Sequence, residues 1–347
     1  MTAIKAVTCL EEHTMNYSKV FISGGNGFIG RTLARYFKAH GVDVCGVDLT
    51  PCEEFNIVAG NLNEPASWRS LMNDCDLVIH TAAIVSNAFS YKQTWQANVG
   101  WTKNLLDAAV AANTVKRFVH ISSTAVYGSD WQTDIKEDAP LFPDGRAYND
   151  SKMMSEHLSL SYHASKKLNV TIIRPGDVYG PGSRPWIAYP LQEIAKGMFM
   201  VPEGMFGPVY IDDLVKGIYQ SAMSDDASGE IFNLSGPEQV TNQTYFNYLA
   251  QAQGKKHVTV VNLALALKLT GFIEWCYHLV GKTTDINPST MRMLSRKSAA
   301  YSNEKAQHIF GYQPEFTLQQ GMQHALQWAY GQGLCKEEPH TDTATAN

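Results

Sequence analysis

The chain has 347 residues, of which 44% are hydrophobic, with 33 acidic against 28 basic side chains. That apolar share fills a sizeable core and excludes wholesale disorder. A net charge of −5, with no lysine- or arginine-rich block, excludes a polyanion-binding surface, so no nucleic-acid partner is expected.

Residues 1–18 carry Lys5, Glu11, Glu12 and His13, which leaves no apolar stretch for a signal peptide, and they read as a flexible leader. From Lys19 short β-branched runs at 20–23, 42–48, 77–80, 117–122 and 171–174 alternate with helical patterns such as 30–39, 65–73 and 101–112. This alternation predicts βαβ units and a parallel sheet covered on both faces, over residues 19–180. A smaller, helix-rich region follows over 181–331, with helices expected at 213–223, 241–253, 263–280 and 317–330. It is expected to bind substrate and to return some segments to the first sheet. No stretch reaches the ~18 uninterrupted apolar residues of a transmembrane segment. The nearest, around 263–281, is broken by Lys268, Glu274 and His278; it could rest on a membrane surface, but a single interrupted helix reads more readily as a buried lid or dimer element. Residues 332–347 read as a disordered tail. Six scattered cysteines without a CxxC pair read as free thiols of a cytoplasmic protein.

The first strand runs into Gly24-Gly25-Asn26-Gly27-Phe28-Ile29-Gly30. Glycines at 24, 27 and 30 suit a tight turn, a close pyrophosphate and a helix packed near the sheet, on a doubly wound, Rossmann-like fold. The helix start that follows offers free N–H groups and a positive dipole end to phosphate. Asp48, eighteen residues beyond Gly30, closes the second strand. A carboxylate there accepts from both ribose hydroxyls and repels a 2′-phosphate, which favours NAD over NADP.

Tyr148 and Lys152 are four residues apart, so on a helix they share a face. A phenol is a poor base at neutral pH, and a neighbouring ammonium favours the phenolate. Ser122-Ser123-Thr124-Ala125-Val126-Tyr127-Gly128, Arg174-Pro175-Gly176-Asp177-Val178-Tyr179-Gly180 and Val209-Tyr210-Ile211-Asp212-Asp213 accompany them. Together with the glycine loop, these residues resemble the extended short-chain dehydrogenase/reductase family, also called the NAD-dependent epimerase/dehydratase family, from Lys19 to Trp328. The resemblance implies Tyr148 as general acid/base, Lys152 as its support and as a ribose ligand, and Ser123 as the substrate-oxygen ligand. It implies that Gly24, Asn26, Gly27, Phe28 and Ile29 hold the pyrophosphate and Asp48 the ribose. Asn61 and Leu62 would flank the adenine, and Thr81, Ala82, Ala83, Asn98, Pro175 and Val178 would line the cofactor further along. It also implies a homodimer through helices at 95–112 and 148–166.

The branch is read from what is missing. Nucleotide-sugar members of the family carry an arginine shortly before the Val-Asp-Asp motif, but 201–208 holds no basic residue, and Asp177 stands where those members place an asparagine. Dehydratases need an Asp-Glu pair where Thr124-Ala125 stands. Trp186, Ile187, Met198, Phe199, Met200, Met205 and Phe206 suit a pocket for an apolar substrate. The layout looks most like the 3β-hydroxysteroid and sterol-carboxylate dehydrogenase branch. The expected reaction is hydride exchange between nicotinamide and a secondary alcohol or ketone. The alternatives are a nucleotide-sugar 4-epimerase and a non-catalytic redox-sensing protein. No metal is expected, since no histidine pair has ligand spacing.

Overall fold

The computed structural model describes residues 15–86, 88–129, 134–197 and 199–336. Its strands are β1 (Lys19–Ser23), β2 (Asp43–Asp48), β3 (Ile57–Ala59), β4 (Leu77–His80), β5 (Arg117–Ile121), β6 (Val170–Pro175) and β7 (Asp177–Tyr179), then β8 (Met200–Pro202), β9 (Met205–Phe206), β10 (Pro208–Tyr210), β11 (Ile231–Leu234), β12 (Val240–Thr241) and β13 (Thr259–Val261). Its helices are α1 (Phe28–Ala39), α2 (Tyr91–Ala112), α3 (Ala147–Ala164), α4 (Tyr189–Lys196), α5 (Ile211–Met223), α6 (Asn242–Gln251), α7 (Leu263–Leu279), α8 (Pro288–Leu294), α9 (Glu304–Phe310) and α10 (Leu318–Gly331).

Seven strands form one parallel sheet in the order β11-β6-β5-β4-β1-β2-β3. This is the Rossmann-like doubly wound fold that the alternating runs predict. Its helices divide by side-chain parity. Val20 and Ile22 face one way, with Leu33 and Phe37 of α1 and Leu214 and Ile218 of α5. Phe21 faces the other way, with Leu105 and Ala109 of α2 and with Leu158 of α3. Because successive strand residues point to opposite faces, continuous apolar runs are what a sheet covered on both sides demands. The chain order reverses between β1 and β4, and crevices at such a switch point, beyond the strands' C-terminal ends, receive ligands.

The helix-rich region has no core of its own. The core cluster under α1 and α5 continues through Ile187, Phe206, Tyr245 and Leu249 to Met322 and Leu326 of α10. Strand β11 pairs with β6, and α5 lies against α1. Three two-stranded ladders, β7–β10, β8–β13 and β9–β12, bridge the sheet's edge to α4, α6 and α8.

Several sequence expectations need correction. The helix expected at 65–73 is two short 3₁₀ turns, Pro65–Ser67 and Arg69–Met72, separated at Trp68, whose φ of −138° is not helical. Met15–Ser18 are not flexible: Tyr17 is buried and donates to the Ala222 carbonyl (3.1 Å), and Ser18 donates to Asp76 (2.9 Å). At the other end, Leu334 donates its amide to Ala329 (2.9 Å) and Lys336 donates to Ala252 (3.1 Å), so the stretch after Gln332 packs down. The rest of the leader and tail, with Cys9 and Met198, lies outside the described residues. Finally, α7 is not a buried lid. Only Ala266 and Thr270 are buried along it.

Candidate active site

The strands' C-terminal ends deliver the predicted residues to one crevice. Gly24 follows β1, Asp48 closes β2, Thr81 follows β4, Ser122-Ser123 follow β5, and Pro175 closes β6. Gly24 has φ +69°, and a Cβ there would sit 2.8 Å from Thr81 Oγ1 and 2.9 Å from the Ala82 nitrogen. A Cβ on Gly30 would collide with the Gly24 carbonyl oxygen, so the loop closes tightly only with glycine at both positions. Gly27 caps α1 without any side-chain hydrogen bond, and no acidic residue occupies the first turn, which contains Phe28 and Ile29. Those first-turn amides have no side-chain cap, as a pyrophosphate-binding helix start requires.

Asp48 stands beside this loop. Its carboxylate accepts from the amides of Asn26 (3.1 Å) and Thr50 (3.3 Å) and keeps part of its surface open. The Asn26 side chain donates to the Thr50 carbonyl (3.1 Å), which fixes the turn after β2. Arg31, a cation near Asp48 that was overlooked in sequence, is engaged by Asn26 (3.1 Å) and Glu54 (3.4 Å). Asn61 is half-buried, whereas Leu62 is packed into the core beside α2. Thr81 ties its hydroxyl to the Ser23 carbonyl (2.8 Å), and Ala82, Ala83 and Val178 are half-buried around the crevice. Pro175 is buried. These features fit NAD: a glycine cradle that a Cβ would fill, a helix start without a cap, and a carboxylate at the second strand.

Asn98 is held by the loop that follows β4. Its amide accepts from the Ile84 nitrogen (2.8 Å) and donates to the Ile84 carbonyl (3.1 Å) and Ser151 (2.9 Å). These contacts set the loop after β4 against α3 and fix the Asn98 amide at the crevice wall.

Helix α3 positions the chemistry. Tyr148, Lys152 and Glu156 succeed one another at four-residue spacing on one face. Glu156 anchors that face through a buried, two-pronged bond to Arg174 of β6 (2.9 and 2.7 Å). Arg174 also donates to Tyr127 (2.8 Å), whose hydroxyl donates to Asn233 of β11 (2.7 Å). Charge-assisted, two-point contacts of this kind fix orientation as well as distance. Lys152 is buried and donates to the Ile121 carbonyl (2.7 Å) at the end of β5. Burial pulls its pKa down to about 8, against the opposing pull of Glu156.

Tyr148 is half-buried, and Ser123 acts on its phenol. The structure therefore brings the expected hydroxyl pair together and leaves Thr124 buried. The electrostatics run against the expectation that Lys152 holds the phenol pKa down. Burial pushes the phenol up to about 12, Ser123 opposes that rise, and Asp177 adds to it. The reason is desolvation, which disfavours the anion.

Asp177 is the second correction. Sequence reading left this end of the site without a cation, yet Arg296, which follows α8, forms a buried ion pair with the Asp177 carboxylate. Arg296 also donates to the Met205 carbonyl (2.9 Å), and its guanidinium lies over the Phe206 ring. Asp177 further accepts from the Gly207 amide (3.0 Å). Burial pulls the guanidinium pKa down, but Asp177 and Tyr301 outweigh it and hold it above its ordinary value. Arg296 also borders a cavity of 530 Å³ lined by Glu203, Met205, Thr241, Gln243 and Lys297. Among the expected apolar pocket residues, Ile187 and Phe206 are core, and Phe206 packs on Trp186 and Tyr245. Met205, half-buried, lines the cavity. Asp213, in turn, is spent on the amides of Glu315 (2.8 Å) and Phe316 (3.1 Å).

A model of the NAD-dependent epimerase/dehydratase family matches residues 20–235. The chain belongs to that family. The enzyme is therefore NAD-dependent, of the extended short-chain dehydrogenase/reductase type. It is 23% identical over 337 residues to a 3β-hydroxysteroid dehydrogenase/Δ5→4-isomerase of Mycobacterium tuberculosis, covering 90% of each chain. It is 32% identical over 209 residues to a dTDP-glucose 4,6-dehydratase of Streptomyces antibioticus, covering 57% of this chain and 61% of that one. A solved structure of MoeE5 in complex with UDP-glucose and NAD matches with a TM-score of 0.73 at 22% identity, over 90% of this chain and 99% of that chain. The family's relatives thus include both steroid dehydrogenases and sugar-nucleotide enzymes.

Proposed function

We infer that the enzyme interconverts a secondary alcohol and a ketone on a hydrophobic, uncharged substrate. The observation that carries this reading is the Asp177–Arg296 pair. The Arg296 guanidinium is spent on a buried carboxylate, which leaves it no free charge for a diphosphate. A carboxylate beside a substrate diphosphate costs binding through like-charge repulsion. Similarity to the steroid-type relative along the whole chain, against partial coverage of the dehydratase, agrees with this reading.

When bound, NAD supplies the carbon that exchanges a hydride with the substrate and, in its oxidised form, a positive ring charge near the phenol. In the oxidation direction Tyr148 takes the hydroxyl proton at its phenol oxygen. Ser123, which opposes the rise in the phenol pKa, orients that oxygen, and Lys152, held by the Ile121 carbonyl, is placed to hold the nicotinamide ribose. Glu156 and Arg174 keep α3, and so the phenol, in register with β5 and β6.

A second reading, a sugar-nucleotide 4-epimerase, is favoured by the 32% identity to the dehydratase and by Lys297 beside the cavity. Calorimetry separates the two. The first reading expects no heat from UDP or dTDP, together with NAD-dependent turnover of 3β-hydroxysteroids or other apolar alcohols. Micromolar nucleotide affinity would overturn it. The expected homodimer would form through the outer faces of α2 and α3, where Trp95, Val99 and Leu158 line a 610 Å³ concavity. Sedimentation would measure that assembly.

A further inference from the structure

Helix α7 exposes a row of large apolar side chains. Leu265 is 43% exposed, Phe272 63%, Trp275 56%, Leu279 66% and Val280, just past the helix, 67%. At about 100° per residue, Ala264, Leu265, Lys268, Leu269, Phe272, Trp275, Leu279 and Val280 lie within roughly 160° of the helix surface, with exposed Tyr277 and His278 outside that arc near the helix's end. The opposite face is anchored by Ala266 and Thr270, so the exposed arc is a fixed feature of a docked helix. Scattered surface hydrophobics need no explanation, but a contiguous patch of this kind marks a contact surface.

Its charge decides what it contacts. The arc contains one ionised group, the exposed Lys268, and no carboxylate; Glu274 lies on the side turned away, half-buried. Lys282 follows the helix and is exposed. If a second copy covered the arc through a twofold axis, it would bury Lys268 against a surface with no acidic partner, which is costly. At an anionic lipid surface the same lysine extends its stem along the apolar face and meets a phosphate. Phe272 and Trp275, stacked with centroids 5.8 Å apart, suit the boundary between acyl chains and headgroups. The helix, about 25 Å long by its rise per residue, meets no criterion for crossing a bilayer, so it would lie along one.

We propose that α7 docks the enzyme peripherally onto an anionic membrane surface. The loop that follows α7 is tied to the loop that leaves the crevice strand β4. Ser86, in the loop leaving β4 past Thr81–Ala83, donates to Asp285 (2.7 Å) in the loop that follows α7, and Val85 beside it is 60% exposed. The proposal concerns where the enzyme sits and does not depend on which alcohol it oxidises.

Flotation of the full chain with phosphatidylcholine vesicles, with and without an equal share of phosphatidylglycerol, tests it. The expected result is binding to the anionic vesicles that weakens as salt is raised. F272S/W275S/L279S should weaken it by about tenfold or more, and K268E should remove most of the preference for anionic lipid. NAD binding, unchanged in both variants, checks that they fold. The proposal is overturned if the wild type binds neither vesicle, or if its binding is indifferent to these substitutions. It is equally overturned if the triple variant converts a wild-type dimer to monomers, which would make the arc an interface between copies.

Discussion

The two ends of the crevice are built in different ways. At the cofactor end, each group sits immediately after its own strand: Gly24 after β1, Asp48 at the end of β2 and Thr81 after β4. Backbone amides, a helix start and the absence of Cβ atoms do most of the work there. At the substrate end, Asp177 and Arg296 come from segments 119 residues apart, and their side chains meet in a buried pair. A site made of backbone tolerates drift in the surrounding sequence so long as glycine stays at the tight positions. A site made of distant side chains changes its specificity with one substitution, which suits a family whose relatives act on both sterols and sugar nucleotides.

The largest expected effect lies between the two ends. Y148F removes the proton acceptor and should lower turnover by on the order of 10²–10⁴-fold while calorimetry shows NAD affinity largely kept. Turnover near wild type would remove Tyr148 from the mechanism. Next, D177A leaves the Arg296 guanidinium buried without its partner and should cost about 3–5 kcal/mol in denaturant unfolding. D177L/R296M, which removes both charges, should recover most of that loss. Where D177N folds, the ascending limb of its alcohol-oxidation profile, set by loss of the phenol proton, should move to lower pH, because Asp177 raises the phenol pKa.

A smaller effect probes the cofactor end. Burial, with Lys152 adding to it, pulls the His80 pKa down from 6.5 to about 3, and burial drives His120 down as well. Both rings are neutral in the fold, so their contribution to stability is complete above about pH 6.5 and is lost as pH falls below it, for His80 down to about 3. Unfolding measured across that window should show up to about 1.4 kcal/mol per pH unit for each ring. H80N should flatten the slope by one ring's share, at the cost of the Ser23 and Thr102 contacts (2.8 and 3.0 Å). Smallest is D48A, which should weaken NAD about tenfold and leave stability nearly unchanged, since its carboxylate bonds only exposed or half-buried loop amides. If D48A unfolded the protein while D177A did not, the contrast between the two ends would be reversed.

The doubly wound sheet was legible because its strands are short apolar runs and its helices amphipathic, and both periods are local. The glycine loop, Asp48, and the spacing of Tyr148 and Lys152 were legible for the same reason: each is a pattern within one turn or between neighbouring elements. The helix expected at 65–73 failed because its apolar spacing did not register the break at Trp68. The bond from Asn98 of α2 to Ser151 of α3 joins two helices and is invisible along the chain.

By itself, then, the sequence determined the fold class and the cofactor, and it singled out α3 as the candidate acid/base helix, since these follow from local periodicity and from residues adjacent in the chain. Only the tertiary structure decided what surrounds the reacting phenol. Burial raises its pKa instead of leaving it to Lys152, and Arg296 reaches across to neutralise Asp177. It also decided that α7 turns its apolar side chains outward. Desolvation, long-range ion pairing and the exposed face of a helix are properties of what packs against a residue, and distance along the chain does not encode them.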